Sequence, residues 1–226
     1  MMGFDLIFGP SVERGPKNRR IYLTFDDGPN ERATPAILET LAGSRVPAAF
    51  FMVGDHVQRF PRLARHVVKE GHMVGNHTHN HVKLHFVGRG RIRDQLEMAH
   101  RAIECAAGRT PRAFRAPHGY RSPFLRSAAQ DLGYTVFGWT FGVFDTARPG
   151  VEEIRRRVRK RLRPGAIVLL HDGDGYDPEG DRMQTAKALP GIIQDARAAG
   201  FDFGDLTELL GEDPQKLGAQ THRGLE

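Results

Sequence analysis

Short apolar runs alternate with amphipathic stretches along almost the whole chain. Ile21-Tyr22-Leu23-Thr24-Phe25 is rich in β-formers and stops at Asp26-Asp27-Gly28-Pro29. Ala33 to Leu41 then reads as a helix, and Ala48 to Val53 as a second strand. The alternation continues with strands at His72 to Asn76, Ala113 to Ala116, Tyr134 to Thr140, Ala166 to Leu170 and Phe201 to Gly204. Helical segments lie near 60–70, 91–106, 123–132, 151–163 and 184–199. The run Ala166-Ile167-Val168-Leu169-Leu170 is continuously apolar, as in strands covered on both faces of a parallel sheet. An incomplete or distorted (β/α) barrel closes this pattern naturally, and an open doubly wound sheet is the alternative. Both collect functional side chains at the C-terminal ends of the strands.

The stretches 1–18 and 212–226 lack periodicity and read as an N-terminal arm and a C-terminal tail on a single domain spanning 19–211. The start of the chain has no basic region and no small-residue cleavage site, so no signal peptide is expected. No apolar run approaches the roughly 18 residues of a membrane span. A soluble, cytoplasmic protein is the expectation. Composition adds that Cys105 is the lone cysteine of 226 residues, which excludes an intrachain disulfide and a cysteine-built zinc site. The net charge of +6 sits largely in 151–163, where seven Arg and Lys stand against Glu152 and Glu153. Val151, Ile154, Val158 and Leu162 form the apolar stripe there, so the arginines are expected to cover the solvent face of an outer helix rather than line a nucleic-acid groove.

Chemistry gathers just beyond the strands. Asp26-Asp27 offers two adjacent carboxylates leaving a strand in different directions, one suited to a cation and the other to a proton; a plain turn with a helix-capping Asp is the bland reading. In His77-Thr78-His79-Asn80-His81, the outer histidines would meet on one face of a helical turn and present two imidazoles to one metal, with His79 pointing away to solvent or a supporting role. Asp27 as third ligand gives a His-His-carboxylate set with open positions, which marks a catalytic metal. Arg115 offers two parallel hydrogen bonds to a carboxylate, or a surface ion pair. His171, directly after a strand, is placed to carry a proton near neutral pH, or is simply a satisfied histidine.

Thr24-Phe25-Asp26-Asp27-Gly28-Pro29, His77-Thr78-His79-Asn80-His81, Arg115-Ala116-Pro117-His118-Gly119 and Leu169-Leu170-His171 together resemble the successive motifs of the polysaccharide deacetylases, carbohydrate esterase family four. Over roughly residues 20–207 the resemblance implies a distorted (β/α)7 barrel and hydrolysis of N-acetyl groups on N-acetylglucosamine oligo- or polysaccharides such as chitooligosaccharide, peptidoglycan or exopolysaccharide. It further implies a divalent metal, usually zinc, with cobalt, manganese and nickel also suited to the ligands. It assigns Asp27, His77 and His81 to the metal, Asp26 as general base, Arg115 as its orienting partner and His171 as general acid. The His118 N–H would help hold the oxyanion, Leu169 would line the acetyl pocket, and Thr78 would brace its motif through a local hydrogen bond.

The fourth motif departs from the family pattern: in Trp139-Thr140-Phe141-Gly142-Val143-Phe144-Asp145-Thr146, Gly142 stands where a His-tethering Asp is usual. Asp145 is the only carboxylate nearby and is assigned that task from a shifted position. Trp139 either paves a sugar subsite or packs in the core. The acidic loop 172–182 is expected as a solvated rim that influences substrate choice. A related metal hydrolase on a small amide or imide and a non-catalytic glycan-binding module are the rivals; oligomeric state stays open.

Overall fold

The computed structural model describes residues 8–211. Its strands are β1 (Arg20–Asp26), β2 (Ala48–Met52), β3 (Met73–Asn76), β4 (Ala113–Phe114), β5 (Thr135–Val136), β6 (Phe141–Gly142), β7 (Ile167–His171) and β8 (Asp202–Phe203). The helices are α1 (Ala33–Ser44), α2 (Gly54–Arg59), α3 (Pro61–Lys69), α4 (Arg89–Ala107), α5 (Leu125–Asp131), α6 (Val151–Arg159) and α7 (Met183–Ala198). All ladder pairings are parallel, in the order β5-β4-β3-β2-β1-β7-β6, and β8 pairs with the start of β1. The seven strands of this path make the distorted (β/α)7 barrel, and the doubly wound alternative falls away. Among the described residues no helix is long and apolar enough to cross a membrane.

Strand alternation sorts side chains onto two surfaces. Ile21, Leu23, Phe25, Phe50, Val168 and Leu170 pack with Ile37, Leu41, Ile103, Leu189 and Ile192 from the outer helices. The alternate positions Tyr22, Ala49, Phe51, Met73, Ala113 and Ile167 fill the barrel interior. Because side chains alternate with period two, Thr24 and Asp26 continue the interior column above Tyr22, and Leu169 and His171 continue it above Ile167. Phe50 is fully buried and stacked on Phe25 with ring centroids 5.1 Å apart. Phe50→Ala is expected to cost about 3–5 kcal/mol of stability, read by urea unfolding.

Several local expectations change. The strand placed at Tyr134 to Thr140 shrinks to β5, Thr135–Val136, and the next strand, β6, begins only at Phe141, because the backbone changes partners between them: Phe137 N–H donates to Phe114, Gly138 N–H to Val12 and Thr140 N–H to Ile167. Helix 60–70 is preceded by a separate helix, α2, and Pro61 opens α3. The basic helix ends at Arg159 rather than 163. The described part of the N-terminal segment is no loose arm, since Val12 is buried, bridges to Phe137 in parallel, and Arg14 bridges to Ala166. The segment thus lies across the opening between β5 and β7. The tail 212–226 lies outside the described residues.

Nor are the arginines of 151–163 merely a solvated face. Arg157, Arg161 and Arg163 donate to the carbonyls of Val143, Gly142 and Thr140, tying down the segment around β6, while Arg155 pairs with Asp195 at 2.7 Å.

Candidate active site

Parallel register brings distant residues together at the C-terminal end of the barrel. Asp26 pairs with His171 across β1 and β7, and β3 ends at Asn76, one residue before His77. The catalytic candidates on β1 and β7 are therefore neighbours by ladder register alone. The shared pocket, a cavity of about 320 Å³, is lined among others by Asp26, Asp27, His77, His81, Leu169 and His171.

Arg115 has no exposed surface and lies inside the barrel, its guanidinium 4.0 Å from the centre of the Phe51 ring. One nitrogen donates to both Asp26 Oδ1 at 2.7 Å and Thr24 Oγ1 at 2.8 Å, and the other donates to the Gly138 carbonyl at 2.8 Å. The expected two parallel bonds to one carboxylate are not made: only one terminal nitrogen reaches Asp26, the other goes to the Gly138 carbonyl, and Nε is buried without a hydrogen-bond partner. Burial pulls the Arg115 pKa down while the Asp26 charge opposes it. A pair this desolvated holds the Asp26 side chain in one orientation. Thr24 escaped notice in the sequence, although its place two residues before Asp26 puts it on the same strand face.

Asp27, His77 and His81 each offer a donor atom, all within 4.8 Å of one another, and all three residues are buried. The His77 and His81 Nε2 atoms lie 3.3 and 3.0 Å from Asp27 Oδ1, which has no hydrogen-bond partner. His77 Nδ1 lies 2.8 Å from the Arg115 carbonyl oxygen; as that oxygen only accepts, Nδ1 carries the proton and Nε2 turns its lone pair inward. Two nitrogens and an orphaned carboxylate oxygen converging in a buried place fit a small divalent cation. Burial pushes the Asp27 pKa up, but contacts with His77 and His81 and the charge of His171 hold it well below the carboxylate range.

No helical turn makes this arrangement. Thr78 and His81 adopt left-handed backbone angles, with φ of 67° and 55°, and fold the segment back so that the His77 and His81 rings come within 5.1 Å. Asn76 Oδ1 accepts the Thr78 N–H at 2.8 Å, while Gln95 Oε1 accepts the N–H groups of His79 and Asn80. Neither Asn76 nor Gln95 carried a signal in the sequence, since amides on strands and helices have many uses. The Thr78 hydroxyl is buried without a hydrogen bond, so it does not brace the loop as expected. His79 is buried rather than solvated, with Nδ1 close against Gly54, where a Cβ would come within 2.6 Å.

His171 meets Asp145 twice. Its Nδ1 lies 2.9 Å from Asp145 Oδ1, and its backbone N–H donates to Oδ2 at 2.8 Å. The Thr185 hydroxyl also donates to Oδ2 at 2.8 Å. Asp145 thus stands where the shifted tether was expected, despite Gly142 in the usual position. Burial alone would lower the His171 pKa; the charge and hydrogen bond of Asp145, with Asp27 and Asp26 beyond, outweigh it and raise the value to about 9.

Comparison with known proteins bears on the family. The polysaccharide deacetylase family model matches residues 13–137. The chain belongs to the polysaccharide deacetylase family. A chitooligosaccharide deacetylase of Bradyrhizobium sp. (strain ANU 289) is 40% identical over 200 residues, covering 84% of this chain and 90% of the relative. A peptidoglycan-N-acetylglucosamine deacetylase of Bacillus cereus is 37% identical, covering 86% of this chain and 90% of its own. The solved structure of the Bc1960 peptidoglycan N-acetylglucosamine deacetylase superposes with a TM-score of 0.83 at 29% identity, covering 90% of this chain and 94% of that one.

The remaining family positions frame the pocket. Leu169 is buried and lines it, and a Cβ on Gly142 would meet Leu169 at 3.4 Å, the edge of ordinary contact. Trp139 is half-buried and lines the pocket edge, with the Arg115 guanidinium 5.9 Å from its ring, so it both packs and faces the cavity. His118, at φ 56°, exposes its ring with Nε2 3.0 Å from the Tyr176 hydroxyl. The loop 172–182 is only partly a solvated rim. Asp172 is fully buried, accepts the Thr34 hydroxyl at 2.6 Å, and burial with the nearby Asp27 charge raises its pKa to about 7. Arg182 is buried and bonds Asp174 and the Gly173 carbonyl, so the loop is fastened beneath its exposed tip at Tyr176.

Proposed function

We propose that this chain is a metal-dependent deacetylase that hydrolyses the N-acetyl groups of N-acetylglucosamine-containing oligo- or polysaccharides, releasing acetate and a free amine. The observation that carries this reading is the convergence of Asp26 and His171, partners in the ladder, with the Asp27–His77–His81 cluster in one pocket. A base, an acid and a cation site in one pocket are what amide hydrolysis requires, and the names of the relatives supply the substrate class.

Asp27, His77 and His81 are proposed to hold zinc, which when bound polarises the acetyl carbonyl and makes water more acidic. Asp26, fixed by Arg115, takes the proton as water attacks the carbonyl carbon. The His118 N–H is assigned to the developing oxyanion, and Leu169 packs the acetyl methyl group. His171, kept protonated by Asp145, gives its proton to the departing sugar nitrogen as the C–N bond breaks, so that a neutral amine leaves. Arg115 touches no substrate and acts through Asp26 as a positioning residue.

Purified protein incubated with a short chitooligosaccharide is expected to release acetate. A chelator should lower the rate tenfold or more, and added zinc should restore it. An absence of chelator-sensitive acetate from that substrate, from peptidoglycan and from acetylated exopolysaccharide would rule the reading out.

A further inference from the structure

A groove on the outer flank of the barrel carries a strong excess of positive charge. Between α6 and the loop that follows β6, a cavity of about 640 Å³ is lined by Arg156, Arg157, Lys160 and Arg161 against one carboxylate, Glu153. That carboxylate is shared, since Arg156 and Arg157 reach it at 2.6 and 2.7 Å. Lys160 is exposed and makes no ion pair among the described residues. Arg157 and Arg161 also donate to the carbonyls of Val143 and Gly142, which holds their guanidinium planes in place without cancelling their charge.

Phe144 lines the same groove and is 70% exposed. Its backbone lies in the left-handed region, with φ of 54°, an uncommon place for an aromatic residue. The turn sends the next side chain, Asp145, inward to hold His171 and leaves the Phe144 ring outside. Nothing in that tether calls for an apolar ring at position 144, and glycine would take the turn without strain. The fold thus keeps an apolar side chain in the open beside a basic groove.

We propose that this face docks on an anionic lipid bilayer, with the groove cations on headgroup phosphates and the Phe144 ring in the interfacial layer. Each cation near an anionic membrane strengthens binding about fivefold, and stable attachment takes a second signal, which the exposed ring supplies. A single-stranded nucleic-acid path would interleave rings with cations along its length, whereas here one ring accompanies four cations. Thr146, two residues beyond Phe144, lines the catalytic pocket, so docking sets the pocket mouth beside the bilayer.

The test is cosedimentation of the full chain with vesicles of phosphatidylglycerol and phosphatidylcholine in about equal parts, against phosphatidylcholine alone, in about 0.1 M salt. Binding to the mixed vesicles is expected to be about tenfold tighter or more, and to weaken as salt rises. Arg156→Gln with Lys160→Gln should weaken it about twentyfold. Arg62→Gln with Lys69→Gln, an equal loss of charge at exposed positions on α3, should leave it within twofold. Phe144→Ser should weaken binding several-fold. Phe144→Trp should keep it and be quenched by lipids brominated in their acyl chains, above the quenching of Trp139 in the wild type. Thermal melts report on folding, and Lys160→Gln alone should act in the same direction if the double variant is unstable. Equal binding to both vesicles, no binding to either, or equal losses in the two double variants overturns the proposal. Soluble polyphosphate bound as tightly as the mixed vesicles, without bromolipid quenching, gives the groove to a soluble polyanion and overturns it as well.

Discussion

Asp26→Asn is expected to lower kcat for acetate release by about 10²–10⁴-fold, the span typical of removing a positioned general base. The substitution keeps an oxygen for Arg115, whose nitrogen lies 2.7 Å from Asp26 Oδ1, but removes the basicity and the charge. Because Arg115 is fully buried, the variant leaves its cation with less compensation, and a lower melting temperature should accompany the loss of rate. The two effects separate on cooling: a folding defect recovers at low temperature, whereas a missing base does not. Bound zinc, measured by elemental analysis, should stay near one equivalent, because Asp27, His77 and His81 are untouched. A kcat within tenfold of wild type in folded, metal-loaded protein would remove Asp26 from the mechanism.

Much of this site is legible in the sequence because catalytic groups in a parallel barrel must lie where strands end, and strand ends are marked by abrupt loss of apolar character. Asp26, His77 and His171 follow that rule, and Arg115 follows β4 by one residue. Lost from view was everything that depends on backbone conformation between elements. The left-handed angles at Thr78 and His81 make the two imidazoles meet without a helical turn, and nothing in the residue types requires them. Hydrogen-bond partners across the barrel were equally hidden. Thr24 and Gly138 divide Arg115 with Asp26, and Val12, from a segment read as an arm, pairs with the stretch between β5 and β6. Such contacts join residues 23 positions apart (Arg115 and Gly138), 91 apart (Arg115 and Thr24) and 125 apart (Val12 and Phe137), beyond the reach of local pattern.

Asp145→Asn should reduce kcat at pH 8 by about two orders of magnitude and move the alkaline limb of the rate profile to lower pH. Asp145 accepts from the His171 backbone N–H, from the Thr185 hydroxyl and from His171 Nδ1. An amide has one acceptor oxygen and one donor nitrogen. With its oxygen held by the backbone N–H and Thr185, its NH₂ group faces Nδ1, which then must accept and cannot carry a proton. The imidazolium is disfavoured twice, by that wrong partner and by loss of the charge that outweighs burial. In the wild-type protein the pKa of about 9 keeps His171 protonated through neutral pH, and the acid is lost as pH rises through that value. With Asp145 removed, burial pulls the pKa down toward or below the unperturbed value of about 6.5, so little acid is left at pH 8. Activity should therefore recover in part near pH 6. The same linkage acts on stability: the raised His171 pKa supports the wild-type fold fully below about pH 6.5, and the support fades as pH rises through about 9. The variant should show a flatter dependence of melting temperature on pH across that window. Because a merely structural role for Asp145 would lower the rate equally at every pH, a rate loss with no change in the shape of the profile would take the proton-holding role away from this pair.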